Sequence, residues 1–261
     1  MQNGNDGLAD AIALVTGAAG GIGTATCAAL TRAGAIVIGS DLGECPPNLQ
    51  VAKWMRHNVS SPEDWGAVRS AIEQDYGRLD CLVNNAGTIV IGSIEETSLA
   101  DWRRVFHTNV ESVLLSLQAL LPLLRIAGEG RRGGASVVNV SSPAGMRPRG
   151  FSSAYSASKA AVTSLTRSAS KEYGRLGYPI RANAFYPGGS NRLGMASTVH
   201  ARYIELGLAP SQAQQEAAAI AVTSLKRNCE PEELAAGIRF LCSTASSYMT
   251  GTDFIVDGGA A

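Results

Sequence analysis

The sequence predicts an α/β protein: one doubly wound, mainly parallel sheet of seven strands with helices on both faces. Three observations predict it. From Ala11 onward, short apolar runs rich in β-branched residues alternate with longer segments of helical period. The 261 residues are 45% hydrophobic and 17% charged, which suits one sizeable packed core and leaves too little polarity for a disordered chain. The first apolar run also passes straight into a glycine cluster that opens a helical pattern, as a strand–turn–helix unit requires.

The strands are expected at 11–16, 35–40, 51–57, 79–84, 135–141, 180–186 and 253–257, and the helices at Gly21–Ala33, Pro62–Tyr76, Leu99–Ala127, Ser153–Tyr173 and Pro231–Leu241. Helix starts have local causes. Ser61-Pro62-Glu63-Asp64 supplies an N-cap hydroxyl, a proline at the first helical position and acids beside the positive helix end. Ser98 before Asp101 repeats the pattern, and Glu230-Pro231 opens the last helix. Residues 128–134 are expected to form a flexible surface loop, and 1–10 an N-terminal tail. The long irregular stretch at about 188–225 reads as a substrate-binding lid, with Gly188-Gly189 as hinge and Leu193, Met195, Tyr203, Ile204 and Leu206 as an apolar wall; a rigid helical excursion is the alternative.

Composition narrows the function classes. Lys plus Arg equals Asp plus Glu at 22 each, so no global field favours nucleic acid or an anionic membrane. Cys27, Cys45, Cys81, Cys229 and Cys242 are odd in number and lack ligand spacing, and His57, His107 and His200 are ungrouped, so reduced thiols and no metal are expected. With neither a leader pattern nor an apolar run approaching a membrane span, the expected location is cytoplasmic.

Two ends of one candidate site can be read. The strand Ile12-Ala13-Leu14-Val15 leads into Thr16-Gly17-Ala18-Ala19-Gly20-Gly21-Ile22-Gly23, where glycine allows a sharp turn and close approach of a pyrophosphate to the amides of a helix N-terminus. The next strand ends in Asp41, placed to accept hydrogen bonds from an adenosine ribose. Its carboxylate would repel a 2′-phosphate, and neither Leu42 nor the glycine turn supplies a cation, so NAD is expected over NADP. Further on, Tyr155 and Lys159 stand four apart in a helical segment, sharing a face on which an ammonium could lower the phenol pKa. Ser141-Ser142 ends the preceding strand at the carboxyl edge of the sheet; Ser141 reads as a turn hydroxyl, and Ser142 as a donor to a substrate oxygen. Arg147 and Arg149 lie between Ser142 and Tyr155, either as solvated loop charges or as contacts for an anionic substrate.

These motifs, with Asn84-Asn85-Ala86-Gly87, Asn109 in Thr108-Asn109-Val110, and Pro187-Gly188, resemble in order the classical short-chain dehydrogenase/reductase family from about Ala11 to Gly259. The resemblance implies a Rossmann-type fold, a homotetramer built on the helices at Leu99–Ala127 and Ser153–Tyr173, and hydride transfer between NAD and a secondary alcohol or ketone. It makes Tyr155 the acid/base and has Ser142 position the substrate oxygen. Lys159 would also bind the nicotinamide ribose, and Asn109 would help hold a water relay to it. Asn84 would support the central strands. Cofactor contacts are implied for Gly17, Gly21, Ile22, Gly23, Asp41, Asn58, Val59, Asn85, Ala86, Gly87, Tyr155, Lys159, Pro187, Gly188 and Ser190. Two departures stand out: Asn58-Val59 replaces the usual Asp-Val beside adenine, and Gly189-Ser190-Asn191-Arg192 replaces an aliphatic residue and threonine beside the nicotinamide carboxamide. The alternatives are a 3-oxoacyl-thioester reductase, or a non-catalytic NAD-sensing protein that need not retain the whole set of four residues.

Overall fold

Alternation along the strands decides the architecture. In β1 (Ile12–Thr16), Ile12 and Leu14 face one side, Ala13 and Val15 the other, and all four are buried. A strand apolar on both faces needs cover on both. The structure, a computed structural model, describes residues 6–189 and 194–260, the side chains of 194–197 excepted. The other strands are β2 (Ile36–Asp41), β3 (Lys53–Arg56), β4 (Cys81–Asn84), β5 (Ala135–Val140), β6 (Ile180–Pro187) and β7 (Asp253–Val256). They form one sheet in the order β3-β2-β1-β4-β5-β6-β7, parallel at every pairing.

Among the described residues the helices are α1 (Gly21–Arg32), α2 (Pro62–Tyr76), α3 (Leu99–Phe106), α4 (Ser112–Glu129), α5 (Ser153–Leu176), α6 (Gly194–Glu205), α7 (Gln212–Ala221) and α8 (Pro231–Cys242). Val68, Leu120 and Tyr173, from α2, α4 and α5, share a core with Leu14 and Leu82 on one face. Leu30 and Ile238, from α1 and α8, join Val15 and Val83 on the other. The doubly wound sheet read from the sequence is therefore present, a Rossmann-type arrangement with the strand order reversing between β1 and β4. The caps also stand as expected: Ser61 Oγ accepts from the Asp64 N–H at 3.1 Å and Ser98 Oγ from that of Asp101 at 3.0 Å.

Three local expectations change. The helix read as continuous from Leu99 contains a π-helical turn, His107–Glu111, between α3 and α4. Its cause is tertiary, since Asn109 within it is drawn onto Thr88 and Ser158, and hydrophobic period does not register such a pull. Residues 6–10 are docked rather than a tail: Leu8 is fully buried, and the Asp6 carboxylate meets Arg239 at 2.5 Å. The 128–134 loop is tied down through Arg131, whose guanidinium donates to the carbonyls of Gly7, Asp80 and Cys242. The stretch after β6 holds α6 and α7, and Ile204 is exposed. Gly188 is required by proximity, because a Cβ there would lie 2.8 Å from Asp257 Cα, and its N–H donates to Val256 O at 2.7 Å. Leu193 and the Met195 side chain lie outside the described residues.

The segment Leu99–Glu129 is apolar enough in composition to pass for a membrane span, with mean hydropathy 1.6, yet Leu117, Leu120 and Leu124 are spent on the core. Across the middle of the sheet, Asn84 Nδ2 donates to Asn139 Oδ1 at 2.8 Å, and Asn139 Nδ2 to Thr166 Oγ1 at 2.9 Å, so a polar chain links β4, β5 and α5. Asn139→Leu is expected to cost about 1–3 kcal/mol per group left unpaired in urea denaturation. Asn84→Leu combined with it should cost less than the sum of the two single changes; strict additivity would count against a coupled chain.

Candidate active site

The strand reversal opens a crevice where β1 and β4 end, and the residues there are shaped by close backbone approach. Gly17 has φ +63°, and a Cβ on it would lie 2.8 Å from Ala86 Cα. A Cβ on Gly23 would lie 2.1 Å from Gly17 O, so Gly23 lets α1 pack onto the turn and does not itself line the crevice. Gly17, Gly21 and Ile22 do line it. The N-cap of α1 is Gly20, which brings no side chain to the first amides of the helix, so these remain available to an anion. Asn85 locks the turn to β4: its Nδ2 donates to Thr16 O and Gly17 O at 3.0 Å each, while the N–H groups of Asn85 and Ala86 donate to Thr16 Oγ1 at 3.1 Å.

The crevice is a cleft of ≈ 490 Å³ with Asp41, Asn58 and Val59 at one end and Tyr155 and Lys159 at the other. Ala86, Gly87 and Pro187 lie between, whereas Gly188 is set back behind the wall and Ser190 falls outside the described residues. Asp41 accepts from the Ala19 N–H at 3.0 Å and the Leu42 N–H at 2.8 Å, one bond to each carboxylate oxygen, leaving acceptor capacity for hydroxyl donors. A cation missed in the sequence stands nearby: Arg56 pairs in register with Asp41, and its Nε donates to Leu42 O at 3.1 Å. Arg56 is not among the described residues lining the cleft. His57, which does line it, packs edge-on against Trp65, and burial pulls its pKa down to about 4, so it is neutral.

At the other end, α5 carries Tyr155 and Lys159 one turn apart. Lys159 is buried, and its Nζ donates to Val140 O at 2.7 Å and lies 5.8 Å from the centre of the Tyr155 ring. With no carboxylate beside it among the described residues, burial lowers its pKa to about 8. Ser142 stands close enough to the Tyr155 hydroxyl to favour its ionised form, and its Oγ accepts from the Ala144 N–H at 3.2 Å; Ser142 is not among the described residues that line the cleft. Asn109 Oδ1 accepts from the Thr88 N–H at 2.8 Å, and its Nδ2 donates to Thr88 O and Ser158 Oγ at 2.9 Å each. Gly87 keeps the neighbourhood open, because a Cβ there would come within 3.3 Å of Asn109 Oδ1 and 3.5 Å of Lys159 Nζ.

One reading of these residues is corrected. Lys159 was expected to depress the Tyr155 pKa, yet in the cofactor-free protein that pKa is raised. Burial is the main cause, opposed by the Ser142 hydrogen bond and the charge of Arg149. Both amide hydrogens of Asn109 are used, on Thr88 O and Ser158 Oγ, so its side chain clamps the loop after β4 to α5. Sequence reasoning missed the hydroxyl ladder that seats α5: Ser141 Oγ donates to Lys159 O at 2.9 Å and meets Thr163 Oγ1, which meets Tyr186 OH at 2.6 Å. Hydroxyls at i and i+4 of a helix give no pattern distinct from ordinary packing, so no signal separated Thr163 from its neighbours.

A family model described as Enoyl-(Acyl carrier protein) reductase matches residues 17–261. The chain belongs to the short-chain dehydrogenase/reductase family. It is 33% identical over 254 residues to a 3-alpha-(or 20-beta)-hydroxysteroid dehydrogenase of Mycobacterium tuberculosis, covering 95% of this chain and 88% of that one. It is 35% identical over 264 residues to a Cis-4-hydroxycyclohexanecarboxylate dehydrogenase of Sinomonas cyclohexanicum, covering 97% and 98%. The ligand-free structure of Thermoplasma acidophilum aldohexose dehydrogenase superposes with TM-score 0.86 at 29% identity, covering 98% of this chain and 95% of that one. Membership makes the protein an oxidoreductase acting on CH–OH groups with a nicotinamide dinucleotide. Since burial favours the neutral phenol, wild-type minus Tyr155→Phe ultraviolet difference spectra of the cofactor-free protein should show this tyrosine ionising above pH 10. Ionisation near pH 7 would contradict the burial argument.

Proposed function

We propose that this short-chain dehydrogenase/reductase is NAD(H)-dependent and interconverts a secondary alcohol and a ketone. The observation that carries the reading is the convergence of Tyr155 and Lys159, with Ser142 against the Tyr155 hydroxyl and Asn109 bracing α5, at one end of a cleft whose far end presents Asp41. When bound, the dinucleotide supplies the two-electron acceptor or donor. The glycine turn and the first amides of α1 suit its pyrophosphate, Asp41 its adenosine ribose, and Lys159 its second ribose. In the oxidation direction Ser142 donates to the substrate oxygen, and Tyr155 Oη takes the carbinol proton as that oxygen becomes a carbonyl. Burial works against the phenolate, which Ser142, the charge of Arg149 and, once the dinucleotide is bound, the charge of the oxidised ring favour.

The named relatives act on hydroxysteroids and on a hydroxycyclohexanecarboxylate, which supports a ring-borne secondary alcohol as substrate. Reduction of a 3-oxoacyl thioester uses the same four residues and stays the second reading; the acyl-carrier wording of the family model favours it. A NAD-sensing role without catalysis leaves the convergence at Tyr155 without a cause. The protein is further proposed to be cytoplasmic, its five cysteines being free thiols, and homotetrameric, since Leu99, Leu114 and Ile126 stay exposed along the long apolar helix.

Tyr155→Phe should abolish turnover of a panel of secondary alcohols while NAD affinity, read by calorimetry, stays within a few-fold of wild type. Substantial retained activity would remove Tyr155 from the mechanism. Catalytic efficiency should favour NAD over NADP by at least 10-fold, about 1.4 kcal/mol. Asp41→Ala with Leu42→Arg should narrow or reverse that preference, and equal efficiency with both cofactors in the wild type would refute the role of Asp41.

A further inference from the structure

The chain leaves β3 directly beside Asp41. β3 pairs with β2 in a register that sets Arg56 against Asp41, and the next N–H, that of His57, donates to Asp41 O at 2.8 Å. Residues 57–59 are thereby held at this end of the cleft, where His57, Asn58 and Val59 line it together with Asp41 and Leu42. A dinucleotide with its pyrophosphate on the first amides of α1 and its ribose on Asp41 must carry the attached base onto this turn.

That turn spends its acceptors on itself. Asn58 O accepts from the Ser61 N–H at 2.9 Å, and Val59 O accepts from Trp65 Nε1 at 2.8 Å. Asp64 takes the Asn58 N–H on Oδ2 at 2.8 Å and Ser61 Oγ on Oδ1 at 2.9 Å, and it is not among the described residues lining the cleft. His57 adds no free acceptor, since its Nδ1 meets Ser40 Oγ at 3.2 Å and its Nε2 is buried. The Asn58 amide is oriented by a further bond: the Ser60 N–H donates to Oδ1 at 3.1 Å, a place that only the oxygen can fill. Asn58 is exposed on the cleft, and its Nδ2, a pure donor, is its one polar atom without a partner among the described residues.

We propose that Asn58 gives the base subsite a donor face, so that the protein takes a dinucleotide bearing a 6-oxopurine, such as hypoxanthine, as readily as one bearing adenine. The proposal rests on the reading of Asp41 as the partner of the neighbouring ribose. The 6-amino group of adenine is itself a donor and gains nothing from Nδ2, which is left to the ring nitrogen N1. The 6-keto oxygen of hypoxanthine accepts from Nδ2 directly. A carboxylate at position 58 would have the opposite effect, accepting from the amino group and repelling the keto oxygen. The amide thus removes the discrimination at C6 that a carboxylate there would impose.

Nicotinamide hypoxanthine dinucleotide differs from NAD only at C6 and N1 of the base, so binding of the two isolates this contact without any turnover. Calorimetric titration into the substrate-free protein at about pH 8, where an introduced carboxylate is ionised, should give the hypoxanthine form a Kd within about 3-fold of NAD, or tighter. Asn58→Asp keeps the bond from Ser60 and exchanges only the free amide nitrogen for a carboxylate oxygen. It should move the ratio of the two Kd values at least ~10-fold toward adenine. Asn58→Ala introduces no second acid beside Asp64; it should weaken the hypoxanthine form about 3-fold or more and leave NAD within about 2-fold. Thermal melting establishes that each variant is folded. A hypoxanthine form bound more than ~3-fold weaker than NAD by the wild type, or a ratio unmoved in either folded variant, would overturn the proposal. If only the 2′-phosphorylated dinucleotides bind, the NAD reading fails, and the same ratio taken between NADP and its hypoxanthine analogue decides the base.

Discussion

A buried ammonium sets the terms for the catalytic end of this molecule. Lys159 is held in the interior without a carboxylate, on the carbonyl of Val140, and its pKa falls to about 8 as a result. A charge in that position survives only while oxygen atoms are held around it and α5 cannot shift. Much of the surrounding structure meets these two needs. Ser141 and Thr163 pin α5 to the end of β5 and to β6. Asn109 is pulled out of regular helix into a π-turn to tie α5 to the loop after β4. The same loop carries Gly87, which keeps side-chain atoms away from the ammonium.

The fold follows from strands that are apolar on both faces and a chain reversal that leaves the ends of β1 and β4 facing a common space. That much was legible in the sequence, because period-two runs and glycine turns are local signals: all seven strands and the helices outside 188–225 lie within a few residues of where the pattern placed them. The chemistry-bearing residues were legible for a different reason, as a set in a family order, and Tyr155, Lys159, Ser142 and Asn109 do meet in space. What escaped were consequences of tertiary contact. Nothing in residues 6–10 announces that Leu8 is core, or that Arg131 of a glycine-rich loop reaches the base of the sheet. The sign of the Tyr155 shift escaped too, since a one-turn spacing to lysine says nothing about how deeply either group is buried or how far the ammonium stands from the hydroxyl.

The cleft is electrically polar along its length, and this bears on how a common scaffold is put to a particular use. Asp41 places a carboxylate at one end, while Lys159 stands buried at the other. The dinucleotide end is built from backbone and small residues that leave little freedom for change. The loop from β5 to α5, by contrast, is anchored at Ser142, Phe151 and Ser152 and packs on α5 at Gly145, while residues 146–151 are exposed.

The central claim is that this site moves hydride from a carbinol carbon to a nicotinamide ring. The most direct measurement follows the atom itself, using an accepted secondary alcohol deuterated at that carbon and NMR of the reduced cofactor. The account predicts that the reduced ring carries the deuterium and the solvent gains none; loss of the label to water would contradict it.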